Sequence, residues 1–164
     1  GGVGYIDGPW SVEIKSSYSD QNDKTLYNYD TELITFSVVP SYIKTTFSIL
    51  PSWSFNRSKD LFTDVETDTH TLTLDIYSSF IDDSVTCELG GTYDWTEADD
   101  ASVEMSNASY YGKLNYIFDE LWGFKDSTIA LEYKYTHQED ELLDSKIYDS
   151  VLTLVLSSAF SSSY

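Results

Sequence analysis

Two histidines, His70 and His137, are the residues of this sequence best suited to acid–base chemistry. An imidazole can activate a serine hydroxyl when an acid orients it, as in Ser–His–acid hydrolases. Serine is plentiful here, so a serine near either histidine in sequence carries little information. Such a site is recognised by its geometry, which a sequence does not give. We therefore predict exposed histidines at strand ends, assign no catalytic residue and predict that the protein is not an enzyme.

Three short acidic runs could bind divalent cations through their carboxylate oxygens. They lie at residues 64–68, 97–100 and 139–141. None has the spacing of an EF-hand, because the glycine required at its sharp turn is missing. We expect solvated, mutually repelling acidic loops that bind Ca²⁺ or Mg²⁺ weakly at most. We predict no cofactor and no dedicated metal site.

The composition excludes two classes of protein. Asp and Glu outnumber Lys and Arg by 28 to 9, giving a net charge of −19, which argues against a nucleic-acid partner because phosphates are bound by basic clusters. Disorder is disfavoured because 41% of the residues are hydrophobic and 16% are aromatic. The single Cys87 rules out an intramolecular disulfide and is expected to be a small apolar strand residue.

Side chains alternate between polar and apolar along most of the chain, which predicts strands. The pattern is clearest at residues 127–138, whose apolar set is Ile129, Leu131, Tyr133 and Tyr135. Comparable segments lie at residues 9–19, 25–39, 43–56, 69–81, 85–96, 103–118 and 147–160. The sequence therefore predicts an all-β fold of about eight antiparallel strands, with no helix.

The predicted connections alternate in length. Short joins are expected at residues 40–42, 82–84 and 119–126, and longer acidic ones at 20–24, 57–68, 97–102 and 139–146. A bulge is expected at Pro51, because proline removes a donor from the ladder. Since an up-and-down meander places alternate connections at opposite ends of the sheet, one end should be compact and the other acidic.

Alternation alone does not distinguish a soluble sandwich from a membrane barrel, because the apolar face may meet a core or lipid. Predicted strands of 10–14 residues exceed the usual length in a globular sheet and suffice to cross a bilayer. Large aromatic residues concentrate towards strand ends, as at membrane interfaces. The predicted aromatic girdle is Trp10, Tyr18, Trp53, Tyr93, Trp95, Tyr110, Tyr133, Tyr135 and Phe160.

Charges on the polar faces are few and of mixed sign, as a small barrel with a polar, side-chain-filled interior would require. The predicted lumen network is Glu13, Lys15, Glu88, Asp94, Lys113, Glu132 and Lys134. A sheet in hydrocarbon must close so that no backbone edge stays unpaired. We therefore predict one up-and-down transmembrane β-barrel domain over residues 1–164, with residues 1–8 as a periplasmic lead-in and residues 161–164 as a C-terminal extension.

The chain resembles small bacterial outer-membrane β-barrels of the eight-stranded OmpA type. The resemblance covers residues 9–160 and is most specific at the end, where Leu152, Leu154 and Leu156 precede Phe160 in the manner of the family's terminal strand. The departure is residues 161–164, since the family usually stops at the aromatic residue. The resemblance implies recognition by the barrel-insertion machinery, a location in the bacterial outer membrane and contact with its lipid and lipopolysaccharide. It also implies a periplasmic compact end and extracellular acidic loops.

Four functions stay open at the level of sequence. The first, which we predict, is a membrane anchor, structural barrel or surface-interaction module with acidic extracellular loops, and the other three are alternatives. The second is a narrow passive channel, or part of a larger porin-like barrel. The third is a lipid A-modifying enzyme, since some barrels of the resembled family use histidine with serine and an acid. The fourth is a soluble secreted acidic β-domain.

Overall fold

The computed structural model describes residues 1–21, 30–121 and 124–158, and all its regular structure is β-strand. None of these residues belongs to a helix long and apolar enough to cross a membrane. The strands are β1 Gly2–Asp7, β2 Trp10–Gln21, β3 Thr31–Lys44, β4 Phe47–Asp60, β5 Glu66–Phe80, β6 Val85–Ala98, β7 Glu104–Leu121, β8 Phe124–Asp140 and β9 Ser145–Ser157.

The nine strands form a single sheet in sequence order, and every neighbouring pair is antiparallel. This confirms the predicted all-β, up-and-down fold. The additional strand is β1, which forms a hairpin with β2 through Gly8 and Pro9. Residues 2–7 had been assigned to the lead-in, because a six-residue segment with two glycines and one acid carries a weak strand signal.

Three of the predicted connections are wrong. The connection expected at residues 119–126 is mostly strand, since residues 119–121 belong to β7 and residues 124–126 to β8. The other two were expected at residues 40–42 and 57–68. Residues 40–42 continue β3, and the chain instead turns at residues 45–46. Residues 57–68 are mostly strand, with only residues 61–65 between β4 and β5. In both places Pro, Ser, Asp and Lys were read as loop residues, but cross-strand pairing outweighs these local preferences. The strands therefore reach further than predicted, and the connections are shorter.

The bulge expected at Pro51 is also absent from the described strands. Pro51 stands opposite Pro40 of β3, and the ladder lacks pairs only for the residues around these two prolines. The pairs Val38–Trp53 and Tyr42–Ile49 on either side keep the same register, so no residue has been inserted. Neither proline has a backbone N–H that would need an acceptor on the other strand, so the ladder can lack pairs here while the register is kept.

Aspartates set the tight turns at the end of the sheet where β4 meets β5, β6 meets β7 and β8 meets β9. The carboxylates of Asp60, Asp100 and Asp140 accept hydrogen bonds from backbone N–H groups two or three residues ahead. Ala101 and Asp144 then adopt positive φ values of 55° and 49°. This is the turn chemistry for which aspartate is suited.

The sheet has no core of its own. Each strand contacts only its neighbours in sequence, and the buried apolar residues among those described are Ala108 and Ala130. β1 and β9 do not touch each other within the described chain, so each has one open edge. What the fold creates is a single-layer sheet with two extensive faces.

Candidate functional surfaces of the sheet

One face of the sheet, here called the apolar face, is aliphatic in its middle. Its rows include Leu72, Leu74, Leu89, Leu114 and Leu131 on neighbouring strands. Leu74 is 42% exposed and Leu89 is 49% exposed, whereas the residues that alternate with them on β5 and β6 are less accessible. The apolar side chains are thus more exposed than the polar ones that alternate with them, which is the reverse of what a water-soluble sheet shows.

Aromatic rings cross the apolar face near the acidic end. The imidazole of His70 stacks on Trp95, with ring centroids 4.6 Å apart and planes at 12°, and it lies 6.1 Å from Trp53 on its other side. Phe55 packs against the same imidazole at 4.9 Å, and Phe36 packs edge-on to Trp53. Contacts of this kind between large amphipathic rings build a continuous belt across β3 to β6.

A second group of rings lies near the compact end of the same face. Trp10 packs on Tyr42 at 4.6 Å, Tyr42 on Phe47 at 6.1 Å, and Tyr116 on Phe118 at 4.3 Å. Between the two groups, the described residues of the apolar face include no Asp, Glu, Lys or Arg. The uncharged middle of the face is therefore bounded by aromatic residues on both sides.

The predicted girdle residues can now be located. The cross-strand register places eight of them on the apolar face: Trp10, Tyr18, Trp53, Tyr93, Trp95, Tyr110, Tyr133 and Tyr135. Phe160 and the C-terminal extension at residues 161–164 lie outside the described residues. Phe36, Phe55 and His70 lie among these rings but are not in the predicted girdle, although they share the alternation of Trp53 and Trp95.

The opposite face, here called the polar face, is rich in hydroxyl groups. Hydroxyls on adjacent strands lie within hydrogen-bonding distance of each other, as for Ser17 and Thr35 at 2.5 Å and Thr69 and Thr96 at 3.1 Å. Asn115 donates to the hydroxyl of Thr86 at 2.9 Å. These cross-strand pairs satisfy polar side chains without any covering layer, so the face suits contact with water or with polar protein groups.

The register places all seven predicted lumen residues on this polar face, in separate groups. Lys113 stands between Glu88 and Glu132 in one row, and its Nζ lies 3.1 Å from Glu132. Glu13 and Lys15 pair at 2.7 Å far away on β2. Asp94 stands opposite Asn107, and Lys134 stands opposite Tyr111. The ion pairs among these seven described residues are Glu13–Lys15 and Lys113–Glu132, and a lumen network stays a prediction.

Sequence reasoning missed the most specific contact of the polar face. The hydroxyl of Tyr111 donates to Asp75 Oδ1 at 2.8 Å, across the intervening strand β6. Gly90 lies beneath this bond, and a Cβ there would come within 2.5 Å of both Asp75 Oδ1 and the Tyr111 ring. On the opposite face Tyr110 covers Gly91 in the same way. The available signal was a Gly-Gly pair and a Tyr-Tyr pair on adjacent predicted strands.

Acidic residues extend along the strands beyond the aromatic belt instead of lying only in loops. Arg57 holds Asp68 through two hydrogen bonds, Nε to Oδ1 at 2.7 Å and Nη2 to Oδ2 at 2.6 Å. Lys59 lies 2.7 Å from Asp64 and 3.3 Å from Glu66. The same rim of the apolar face also contains Asp20, Glu32, Glu97, Glu104 and Glu139. The rim was missed because residues 57–68 were assigned to a loop.

Neither histidine is placed like a catalytic base among the described residues. His70 lies within the aromatic belt, and its buried Nδ1 has no hydrogen-bond partner. His137 packs on Tyr148 at 4.5 Å, with Nε2 3.7 Å from Glu139. No described serine hydroxyl forms a hydrogen bond with either ring. Within the described part of the chain, neither ring therefore belongs to the Ser–His–acid arrangement on which the enzyme alternative depends.

The described residues also contain no group of three or more His, Cys, Asp or Glu side chains able to hold a metal ion. The predicted acidic runs are split between strand and turn: Glu66 and Asp68 lie in β5, while Asp99 and Asp100 lie in a turn. Weak binding of divalent cations at this rim stays a prediction.

Comparison with known proteins gives one informative likeness. No family model and no curated protein sequence matches the chain. Its fold is similar to the crystal structure of the siderophore receptor PirA from Pseudomonas aeruginosa, with a TM-score of 0.66 at 14% identity. The match covers 92% of this chain and 29% of that receptor, so the chain spans less than a third of its length.

This likeness bears on the fold. An up-and-down antiparallel sheet that follows part of a receptor barrel fits an outer-membrane β-barrel. The narrower resemblance to the eight-stranded OmpA type is not confirmed, since the sheet has nine strands and follows a fraction of a much longer chain. Ligand binding by that receptor does not transfer at this identity.

Proposed function

We propose that the chain forms part of the wall of a large bacterial outer-membrane β-barrel, with its apolar face towards lipid and its polar face towards the barrel interior. The observation that carries this proposal is the inverted exposure of the two faces. Leucines such as Leu74 and Leu89 are exposed, and no part of the described chain covers them. In this role the sheet is a structural membrane-embedded element, with the aromatic residues as its girdle.

Hydrophobic free energy supports this orientation over a soluble one. Exposed apolar surface costs about 25 cal/mol per Å² in water, and this face spans nine strands. Soluble monomers rarely expose such a contiguous apolar surface. Contact with lipid removes this cost. The uncharged middle of the face corresponds to the hydrocarbon core of a bilayer, and the aromatic groups on either side of it correspond to the two membrane interfaces.

The comparison supports a large barrel over the eight-stranded anchor first considered. The chain spans less than a third of the similar receptor, and its sheet has two open edges. We therefore favour the proposal that the chain contributes strands to the wall of a transport barrel. Its acidic rim would face outside and meet lipopolysaccharide, with the compact end in the periplasm.

Adjacent residues of β8 test the orientation directly. In a Cys87→Ser background, Leu131→Cys and Glu132→Cys place a thiol on the apolar and the polar face of the same strand. After folding into phosphatidylcholine vesicles, we expect a charged, water-soluble thiol reagent to modify Glu132→Cys and to leave Leu131→Cys unreacted. A hydrocarbon-soluble maleimide should react with Leu131→Cys.

The matched controls are the same two variants unfolded in urea, where both thiols should react equally. Equal reaction of both thiols with the water-soluble reagent in the folded, vesicle-bound protein would contradict the proposal. A monodisperse folded protein in buffer without detergent would support the soluble alternative instead.

A further inference from the structure

The two open edges of the sheet differ in kind. β1 has six residues and covers only the first half of β2, from Trp10 to Lys15. β9 has 13 residues, contains no proline, and has no charged residue between Ser150 and Ser157. Short edge strands are a common protection against further pairing, whereas a long, uninterrupted apolar edge favours it.

Side-chain exposure identifies β9 as incomplete. Leu152, Leu154 and Leu156 are 68%, 66% and 56% exposed, while Leu131, their neighbour on β8, is 45% exposed. All thirteen residues of β9 are exposed, as are eleven of the twelve residues of β2, whose residues 16–21 also have no paired residue in β1. A strand with partners on both sides would be partly covered by its neighbours' side chains, as β5 and β6 are.

Backbone chemistry makes this edge costly in a membrane. In an antiparallel sheet roughly half of a strand's N–H and C=O groups point to each side. Those of β9 that point away from β8 have no partner among the described residues. Hydrocarbon offers no hydrogen-bond partner to an unsatisfied backbone group, so lipid alone cannot cover this edge.

We infer that the outer edge of β9 is a strand-acceptor site that takes an antiparallel, amphipathic β-strand of another polypeptide segment. The partner alternates apolar and polar residues so that its apolar set continues the row of Leu152, Leu154 and Leu156. This inference rests on the proposed function, because it is lipid that makes the free edge costly.

Strand direction determines which partners fit. In a nine-stranded meander β1 and β9 run the same way, so direct closure of β9 onto β1 would be parallel. A second copy in the same membrane orientation presents only edges that run parallel to β9. A second copy could pair antiparallel only if its acidic end lay on the opposite side of the membrane. Antiparallel closure therefore requires an odd number of further strands from elsewhere, consistent with the even strand number of bacterial barrels.

Amide hydrogen exchange, measured by NMR on the folded chain in detergent micelles, tests the site. We expect every second amide of β9 to exchange freely, while both sets of amides in β5 and β6 stay protected as internal controls. The probe is a synthetic peptide with the sequence of residues 127–140, which is an antiparallel amphipathic strand by its pairing with β9. Added during refolding, it should slow the free β9 amides by at least about tenfold.

The control peptide has the same composition but lacks the alternation, and it should give no slowing. Full protection of β9 without peptide would overturn the inference: a monomeric mass would mean self-closure, and a dimeric mass pairing with a second copy. A free edge that the alternating peptide does not protect would overturn it as well. Loss of protection in β5 and β6 would show that the sheet has not formed, and the inference would fall with it. The proposed function fails separately, through the labelling of Leu131→Cys.

Discussion

At the scale of single residues, Gly90 is a position of β6 where a Cβ would collide with the side chains of Asp75 and Tyr111. Tyr111 can reach Asp75 only because no side chain stands between them on β6. We expect Gly90→Ala to displace the Tyr111 ring and to lower the free energy of unfolding by about 1.5–3 kcal/mol, the contribution of a hydrogen bond to a charged group. Equilibrium urea unfolding measures the change.

Gly4→Ala is the matched control, because a Cβ there meets only Val12 O, at an ordinary distance of 3.8 Å. Tyr111→Phe removes the same hydrogen bond without steric conflict. If Gly90→Ala costs no more than Gly4→Ala, the Tyr111–Asp75 contact does not constrain β6. In a Tyr111→Phe background, the cost of Gly90→Ala should shrink, since part of the interaction is already lost.

A second residue-scale effect concerns Asp100 in the turn between β6 and β7. The hydroxyl and backbone N–H of Ser102 both donate to this carboxylate and hold the pKa of Asp100 below its usual range. A depressed pKa means that the contribution of Asp100 to stability is present above the unfolded value of about 4 and is lost as the pH falls through the folded value. Carbon-detected NMR titration of the carboxyl measures this pKa.

We expect Ser102→Ala to raise the pKa of Asp100 towards that of a free aspartate, and Ser102→Thr, which keeps the hydroxyl, to leave it low. An unchanged titration in Ser102→Ala would mean that the side-chain hydrogen bond does not hold the carboxylate. The turn itself would still be set by the backbone N–H of Ser102.

At the scale of elements, β5 offers a direct comparison of the two faces. Leu74 and Thr73 are adjacent near the middle of this strand and point to opposite faces. A lysine at mid-bilayer on the lipid side of a barrel costs about 2–4 kcal/mol, whereas one on the interior side is tolerated. We therefore expect Leu74→Lys to destabilise the protein folded in bilayers by about that amount, and Thr73→Lys by much less.

Unfolding titrations in large vesicles of one lipid composition measure both variants. If the apolar face met water, Leu74→Lys would change stability by no more than about 0.5 kcal/mol, as for ordinary surface substitutions. That result would argue against a lipid-facing apolar surface.

Among the properties of the strands, the face on which each residue lies could be predicted from the sequence. Period-two alternation was sufficient to group Glu88, Lys113 and Glu132, and to separate them from Leu89, Leu114 and Leu131. Strand ends were not predictable, because Pro40 and the polar residues after Asn56 have turn-like preferences that cross-strand pairing overrides. Register was also beyond reach, so the meeting of Tyr111 with Asp75 across Gly90 could not be foreseen. Such contacts join residues 36 positions apart and depend on two strand pairings together.

At the scale of the whole molecule, charge and hydrophobicity are separated in space. The net charge is −19, yet the described middle of the apolar face is uncharged. Acids gather at the rim beyond the aromatic belt, where Arg57, Lys59 and Lys146 are the Lys and Arg residues of the described chain that pair with some of them. A membrane containing lipopolysaccharide is itself anionic, so the rim and the lipid surface should repel each other unless cations intervene.

This repulsion leads to an expectation for folding into membranes. The yield of folded protein in bilayers containing lipopolysaccharide should rise with Mg²⁺ concentration, because a divalent ion can bridge carboxylate and phosphate oxygens. In phosphatidylcholine bilayers the yield should change little with Mg²⁺, because each phosphate is neutralised by a choline cation and the headgroup carries no net negative charge. Heat-modifiable gel migration quantifies the folded fraction in both cases.

Sodium chloride at matched ionic strength separates bridging from screening. Monovalent ions screen charge but do not bridge oxygen ligands. Mg²⁺ should therefore raise the folded yield more than Na⁺ does if the acidic rim is bridged to the lipid phosphates. Equal effects of the two salts would mean that the rim acts only through its overall negative charge and does not bind Mg²⁺ through its carboxylates. Glu97→Gln/Glu104→Gln removes two charges that face each other directly across β6 and β7, and should diminish the Mg²⁺ dependence while leaving the aromatic belt intact.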